Sequence, residues 1–251
     1  MRQHRGAAAR WAVNRALVPL DPWRVYELSH LATLPFPGRW LDIASPKLLP
    51  SYCGRRGEGE WVCTDLHSDE LAAWNVIDPQ LLLQQEDARS LSFPDSAFDG
   101  CLCVSVVEHI PDDGDVRAMA EMWRVLKPGG RVRLTTNISR RPRHVFINRR
   151  VYGEASEASR SGRVFFERHY DDHRLRERLL ELPWEIVRQE RVRQRRPGIE
   201  RRFFQMRPWS YAAGNALPTL CARNFSAIFS TDELGDDEMG IVSLELRKPV
   251  G

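Results

Sequence analysis

Along the middle of this chain, short and nearly unbroken apolar runs alternate with stretches in which apolar residues recur every three or four positions. The runs read as strands buried on both faces, and the spaced stretches as amphipathic helices. Strands are accordingly expected at residues 40–43, 61–65, from 81–84 toward Asp87, within 98–107, and at 131–136. Residues 68–77 read as a helix with Ser68 as its N-cap. Val116, Met119, Trp123 and Leu126 mark another, which Pro128-Gly129-Gly130 should stop. Further along, 173–181 reads as a helix capped by Asp171 or Asp172, and 184–192 and 241–247 as a sixth and a final strand. Strands separated by helices imply a parallel sheet with right-handed crossovers, which binds its ligands at the carboxyl ends of the strands.

That rule draws attention to three acids, Asp42, Asp65 and Asp87, which close the first three strands. Taken singly, each is more often a cap or loop residue than a ligand group. Three in register favour a site, and an acid ending the second strand is well placed to accept hydrogen bonds from both hydroxyls of a ribose. The turn after the first strand, RWLDIASPKLLP, contains no glycine, although a nucleotide normally approaches a glycine-rich backbone there. Ser45 offers itself as the cap of a helix beginning at Pro46, with Pro50 expected to disturb that helix soon after its start.

The run Glu86-Asp87-Ala88-Arg89-Ser90-Leu91-Ser92-Phe93-Pro94-Asp95, then Val106-Val107-Glu108-His109-Ile110, then Arg124-Val125-Leu126-Lys127-Pro128-Gly129-Gly130, resembles the class I S-adenosylmethionine-dependent methyltransferases. The closer resemblance is to the type 11 subgroup that includes the ubiquinone and menaquinone biosynthesis enzymes, and it extends over about residues 39–137. It implies an α/β, Rossmann-like, seven-stranded sheet in the order 3-2-1-4-5-7-6, with the last strand antiparallel and helices on both faces. It also implies S-adenosyl-L-methionine as cofactor. Asp65 and the adjoining Leu66 would serve the ribose, Asp87 the adenine amino group, the Ala88 backbone the adenine ring, and Ser105 and Val106 would lie beside the bound cofactor. Asp42, Ala44 and Ser45 would border the methionine part. Against the family's loop, Ala44, Pro46 and Leu48 stand where glycines are expected. Lys47 reads as an exposed lysine, with contact to the methionine carboxylate as the sharper alternative.

The resemblance implies one domain over 1–251: a basic arm and helix at 1–36, a cofactor-binding core at 37–137, and substrate-side insertions at 138–166 and 194–240. The first insertion reads as irregular; the second is rich in Phe203, Phe204, Trp209, Tyr211, Leu217, Leu220, Phe225, Ile228 and Phe229, which suit a core or a lid over a small or lipid-like methyl acceptor. General-base chemistry has weak candidates in Glu108, His109 and His144; a structural or capping role is the default for the first two and solvation for the third. His169 and His173 have a metal-ligand spacing, but the capped helix is the preferred reading and no metal is expected.

Composition changes little of this. At 251 residues, 42% hydrophobic and 28% charged, the chain suits a globular protein, and no apolar run reaches the roughly 18 residues of a membrane span. Five cysteines without a Cys-x-x-Cys pair, and no secretory signal, read as reduced thiols in a cytoplasmic protein. Residues 140–207 hold 19 basic against 10 acidic side chains, but with 34 arginines to 3 lysines overall this asymmetry does not require nucleic acid. The basic arm leaves peripheral membrane contact open, and oligomeric state is not legible. Two other functions stay open: a methyltransferase-like binding subunit without catalysis, suggested by the glycine-free turn, and an NAD-dependent oxidoreductase, disfavoured by the absent Gly-x-Gly-x-x-Gly.

Overall fold

The computed structural model describes residues 21–148, 159–160, 162–196 and 224–250. The basic arm, Tyr152 and the aromatic stretch from Phe203 to Leu220 lie outside the described residues. Helix α1 (Pro22–Leu31) begins where Asp21 accepts the Arg24 N–H at 2.9 Å, with Pro22 at the first helical position. Then follow β1 (Arg39–Ile43), α2 (Leu48–Arg55), β2 (Glu60–Asp65), α3 (Ser68–Ile77), β3 (Leu82–Gln85), β4 (Phe98–Val104), a single 3-10 turn (Val107–His109), α4 (Gly114–Val125) and β5 (Leu126–Ser139). After these come β6 (Arg143–Ile147), β7 (Ser159–Arg160), β8 (Arg163–His169), α5 (Asp172–Leu179), β9 (Glu185–Gln194), β10 (Phe225–Ile228) and β11 (Met239–Arg247).

The main sheet runs β10-β9-β11-β5-β4-β1-β2-β3. Its five strands from β3 to β5 are parallel, and β11 is antiparallel to both β5 and β9. With β9 as the sixth expected strand and β11 as the last, the expected order holds. The count does not: β10 adds an eighth strand, antiparallel to β9. Its sequence suits lid or core, and Phe225 shows why it serves as strand and core at once, pairing along β9 while its ring packs on Trp23 and Tyr26 of α1.

Alternation of side chains along each strand divides the core. On one face Leu41, Ile43, Cys101, Cys103, Val132 and Leu134 meet Met119, Met122 and Val125 of α4 and Leu175 and Leu179 of α5. On the other, Trp40, Trp61, Cys63, Leu102 and Val104 meet Leu31 of α1 and Leu49 and Cys53 of α2. Gly100 permits this second layer, since a Cβ there would lie 2.5 Å from the Trp40 ring. Burial pushes the Cys101 and Cys103 thiols up, as suits core residues.

Local expectations are corrected at four points. The α3 N-cap is His67, with Ser68 already helical. Pro128-Gly129-Gly130 does not stop α4: the helix ends at Val125, Leu126 turns directly into β5, and the Pro-Gly-Gly segment is absorbed as an irregularity in the β4–β5 register. The segment expected to be irregular, 138–166, instead extends β5 and builds a three-stranded antiparallel sheet, β6-β8-β7. After β1, the helix starts at Leu48 and not at Pro46, because the side chains that precede it are drawn into the sheet. Asp171, by contrast, caps α5 as expected, accepting the Arg174 N–H at 2.7 Å.

Candidate functional site

In the turn after β1 one residue adopts a backbone conformation natural to glycine, although the turn contains no glycine. Ala44 sits at φ +48°, in the left-handed region that costs an L-residue about 1–2 kcal/mol and that glycine enters freely. Its N–H donates to the Thr64 carbonyl at 3.0 Å, which ties the turn to the end of β2. Ala44→Gly should therefore stabilise the fold by roughly 0.5–1 kcal/mol after allowing for glycine's greater freedom when unfolded. Thermal melting checks this; a lower melting temperature for the variant would contradict it.

Ser45 and Lys47 turn inward, contrary to expectation. The Ser45 hydroxyl is buried and accepts the Val104 N–H at 2.8 Å, pinning β1 to the end of β4 instead of capping a helix. Helix α2 starts at Leu48, and its first backbone bond runs from the Ser51 N–H to the Lys47 carbonyl at 2.9 Å. Pro50 falls within that first turn, where a missing N–H costs nothing. Lys47 is 1% exposed, and its ammonium donates to the Ser45 and Thr64 carbonyls at 2.9 and 2.8 Å and pairs with Asp65 at 3.3 Å and Asp42 at 3.4 Å. It thus lies beneath the turn as a tether between the ends of β1 and β2.

Burial raises the Asp42 carboxyl to about 6, with Lys47 and Ser45 offsetting part of the cost. Burial alone would weaken the Lys47 ammonium, but Asp42 and Asp65 outweigh it and hold its pKa above the ordinary value. Apart from that ion pair, neither Asp42 oxygen has a hydrogen bond. Asp65 accepts the His67 N–H at 3.1 Å on its other oxygen, and Leu66 beside it is held by Gln85 at 2.9 Å.

Asp87 and Ala88 lie on the β3 side of the same edge, reached through the Glu86 N–H to Asp65 carbonyl bond of 3.0 Å. The Asp87 carboxylate is gripped by Arg89 through the backbone N–H at 2.9 Å and through the guanidinium at 2.8–3.1 Å, and hydrogen bonding by Arg89 holds it below its ordinary range. Ala88 is partly buried against the core. On the β4 side, Ser105 repeats the left-handed conformation at φ +50°, and Val106 follows it into the 3-10 turn.

Here sequence reasoning missed a partner: the Ser105 hydroxyl donates at 2.6 Å to Glu27 of α1, a buried carboxylate that also accepts from Thr135 at 2.6 Å and pairs with Arg24 at 3.0 Å. Nothing in the pattern of α1 marks Glu27, because its partners Ser105 and Thr135 lie 78 and 108 residues away. Glu108 is fully buried; Thr136 donates to one of its oxygens at 3.0 Å and the other has no hydrogen bond. Burial, with Glu27 and Glu167 adding to it, lifts its carboxyl to about 8. His109 lies with Nδ1 2.7 Å from the Phe166 carbonyl, its pKa lowered by burial. His144 is not drawn into this edge by any of these bonds; it stands exposed on β6, edge-on to Phe165. A cavity of about 360 Å³ bordered by Arg55, Glu60, Asp78 and Leu82 opens where β2 and β3 begin, at the opposite edge from these acids.

Residues 41–134 match a family described as a methyltransferase domain. A phosphatidylethanolamine N-methyltransferase of Cereibacter sphaeroides is 36% identical over 64 residues, 26% of this chain and 30% of that protein, so the chain matches under a third of this relative's length. Among solved structures, an S-adenosylmethionine-dependent methyltransferase of Methanosarcina mazei superposes with a TM-score of 0.56 at 16% identity, over 93% of this chain and 100% of that one. Phosphoethanolamine N-methyltransferase 2 of Haemonchus contortus, solved in complex with S-adenosyl-L-methionine, gives 0.57 at 18% identity, over 96% of this chain and 56% of that one. No helix among the described residues is long and apolar enough to cross a membrane. Residues 41–134 thus match the methyltransferase domain family, and the chain around them takes the class I, Rossmann-like methyltransferase fold.

Proposed function

We propose that this protein transfers the methyl group of S-adenosyl-L-methionine to an acceptor bound at the carboxyl edge of β4 and β5. The observation that supports it most is Ala44, held in a glycine conformation between Asp42 and the end of β2. A loop that had simply lost its ligand would have no reason to keep that strained shape. The cofactor also fits the acids present. A carboxylate has about four lone-pair positions; Lys47 and the His67 N–H use two at Asp65, which leaves two for the ribose hydroxyls. Asp87 and the Ala88 backbone would take the adenine, Leu66 would border the ribose, and Ala44, Ser105 and Val106 would line the methionine side, with the buried Asp42 and Ser45 supporting the turn from beneath.

When bound, the cofactor supplies a methyl group already activated on a sulfonium. The chain's own work is to hold the acceptor in line and keep water out. The β6-β8-β7 sheet is suited to the second task, since Phe166 and Arg168 of β8 bond to the turn after β4 at His109 and Ile110. The Cereibacter and Haemonchus relatives are N-methyltransferases of ethanolamine compounds, which supports nitrogen as the acceptor atom.

Asp65→Ala should weaken S-adenosylhomocysteine binding about ten- to a hundredfold, the value of a charge-assisted ribose contact. Calorimetry on wild type and variant, with melting curves to verify folding, tests it. Equal affinities would give Asp65 another role. One observation favours a second reading, a binding subunit without catalysis: Lys47 and Arg89 already engage the two nucleoside acids. A folded wild type that does not bind S-adenosylhomocysteine would favour that reading.

A further inference from the structure

The ammonium of Lys47 has three protons, and all of them are committed inside the protein. They go to the Ser45 carbonyl at 2.9 Å, the Thr64 carbonyl at 2.8 Å and an Asp65 oxygen at 3.3 Å. Asp42 completes the set as an ion pair at 3.4 Å. Oxygens from the ends of β1 and β2 thus surround one cation that is 1% exposed, beneath the turn after β1. The two carboxylates outweigh the cost of its burial, so the group stays charged. Two carboxylates and two carbonyls are what a buried ammonium requires, and here the chain supplies the ammonium itself.

S-adenosyl-L-methionine carries an ammonium and a carboxylate at the end remote from its adenine, and each needs a partner. The side chains of the turn offer neither. Asp42 is 0% exposed and paired with Lys47, and the Ser45 hydroxyl is turned inward to Val104. Lys47 has no proton left for a ligand carboxylate, the Ala44 N–H is spent on the Thr64 carbonyl, and Pro46 has no N–H. Other acids of this edge are equally committed. Asp87 is held by Arg89, Glu27 by Arg24, Ser105 and Thr135, and Glu167 by Asn137 and His169. Glu108 is fully buried and, with its carboxyl lifted to about 8, protonated at neutral pH.

We infer that Lys47 fills the counter-ion place that the cofactor's ammonium would otherwise take, so that the nucleoside carries recognition and the site accepts a 5′-thionucleoside without the amino-acid tail nearly as well as the whole cofactor. This deepens the methyl-transfer reading and rests on it for the identity of the ligand. Lys47 touches no ligand; it sets selectivity by neutralising the acids beneath the turn. A 5′-alkylthioadenosine would then compete with the cofactor, because the contacts it lacks are ones the turn does not make.

Titration calorimetry on the full chain compares S-adenosylhomocysteine with 5′-methylthioadenosine, which keeps the adenine, ribose and sulfur and bears a methyl group in place of the charged tail. One charge-assisted contact is worth about tenfold in affinity, and two about a hundredfold. The two ligands should therefore differ by less than about tenfold, and Asp65→Ala should weaken both by the same factor. Asp42→Asn removes a buried charge and leaves Lys47 its three hydrogen bonds, so it should fold. Its effects on the two ligands should agree within about twofold, less than one charged contact is worth.

A wild-type gap larger than that would overturn the inference, since the turn would then hold the tail. So would an Asp42→Asn loss confined to S-adenosylhomocysteine, because Asp42 would then serve the cofactor's ammonium, or unequal losses in Asp65→Ala. If Asp42→Asn does not fold, the wild-type comparison decides alone. Binding of S-adenosylhomocysteine with much weaker binding of 5′-methylthioadenosine would remove this inference and leave the methyl-transfer reading; binding of neither would remove both.

Discussion

Replacing Lys47 by Met is expected to cost about 3–5 kcal/mol of stability, the usual result of deleting one partner from a buried ion pair. Met fills a similar volume but supplies none of the four contacts of the ammonium. The loss falls chiefly on Asp42, which is 0% exposed and has no hydrogen bond to fall back on. The sign with pH follows from the Asp42 carboxyl, raised by burial to about 6 from an ordinary value near 4. The unfolded chain ionises first, so this group's contribution is most favourable below pH 4 and is lost as pH rises through 6. Without Lys47 the carboxyl shifts further up and the penalty at neutral pH grows, whereas at pH 4 the acid is protonated and Lys47 matters less. Urea denaturation of wild type and variant at pH 4 and pH 8 should show a clearly larger difference at pH 8. A difference independent of pH would mean that Lys47 contributes through packing alone.

Asp115→Ala should be comparably severe, at about 3–5 kcal/mol. Asp115 lies in the first turn of α4, fully buried, where an acid also complements the helix dipole. Arg168 meets it at 2.7 Å, Arg178 at 2.6 and 2.8 Å, and the Tyr170 hydroxyl at 2.9 Å. Removing it strands Arg168, itself buried, and unfastens β8 and α5 from α4 together. Arg178→Ala should cost much less, because that guanidinium is 22% exposed and water can replace part of what is lost. Equal losses for the two variants, read from denaturation midpoints, would contradict this ranking.

Much of the fold is legible because buried parallel strands write themselves locally. Trp40 to Ile43 and Phe98 to Val104 are apolar almost throughout, and α3 begins and ends where its periodicity does. The acids at the strand ends are legible for the same reason: an isolated carboxylate closing an apolar run stands out from its neighbours. What is not legible depends on partners far away in sequence. Lys47 reads as exposed because lysines usually are, and only the return of Thr64 and Asp65 beside it, 17 and 18 residues on, gives its ammonium a reason to be inside. Ser45 likewise serves Val104, 59 residues away, and so is lost to the helix start that its own neighbourhood suggests. The β6-β8-β7 sheet is hidden because arginines interrupt its alternation, with Arg143, Arg163 and Arg168 standing among the apolar positions. An edge sheet whose strands are only half buried does not need the continuous apolar pattern of a central strand.

The position of β11 governs how the molecule can be made. It is the last strand in chain order, yet it lies inside the sheet, paired from Met239 to Arg247 with β5 on one side and from Gly240 with β9 on the other. As the chain leaves the ribosome, β1 to β5 can assemble in order, each strand adding to a neighbour already present. The β9–β10 hairpin cannot dock, because the strand that joins it to β5 has yet to be synthesised. Until Arg247 clears the exit tunnel, β5 therefore presents an open edge and the hairpin waits unattached. Closure of the sheet therefore waits for β11, the one strand that zips both halves together.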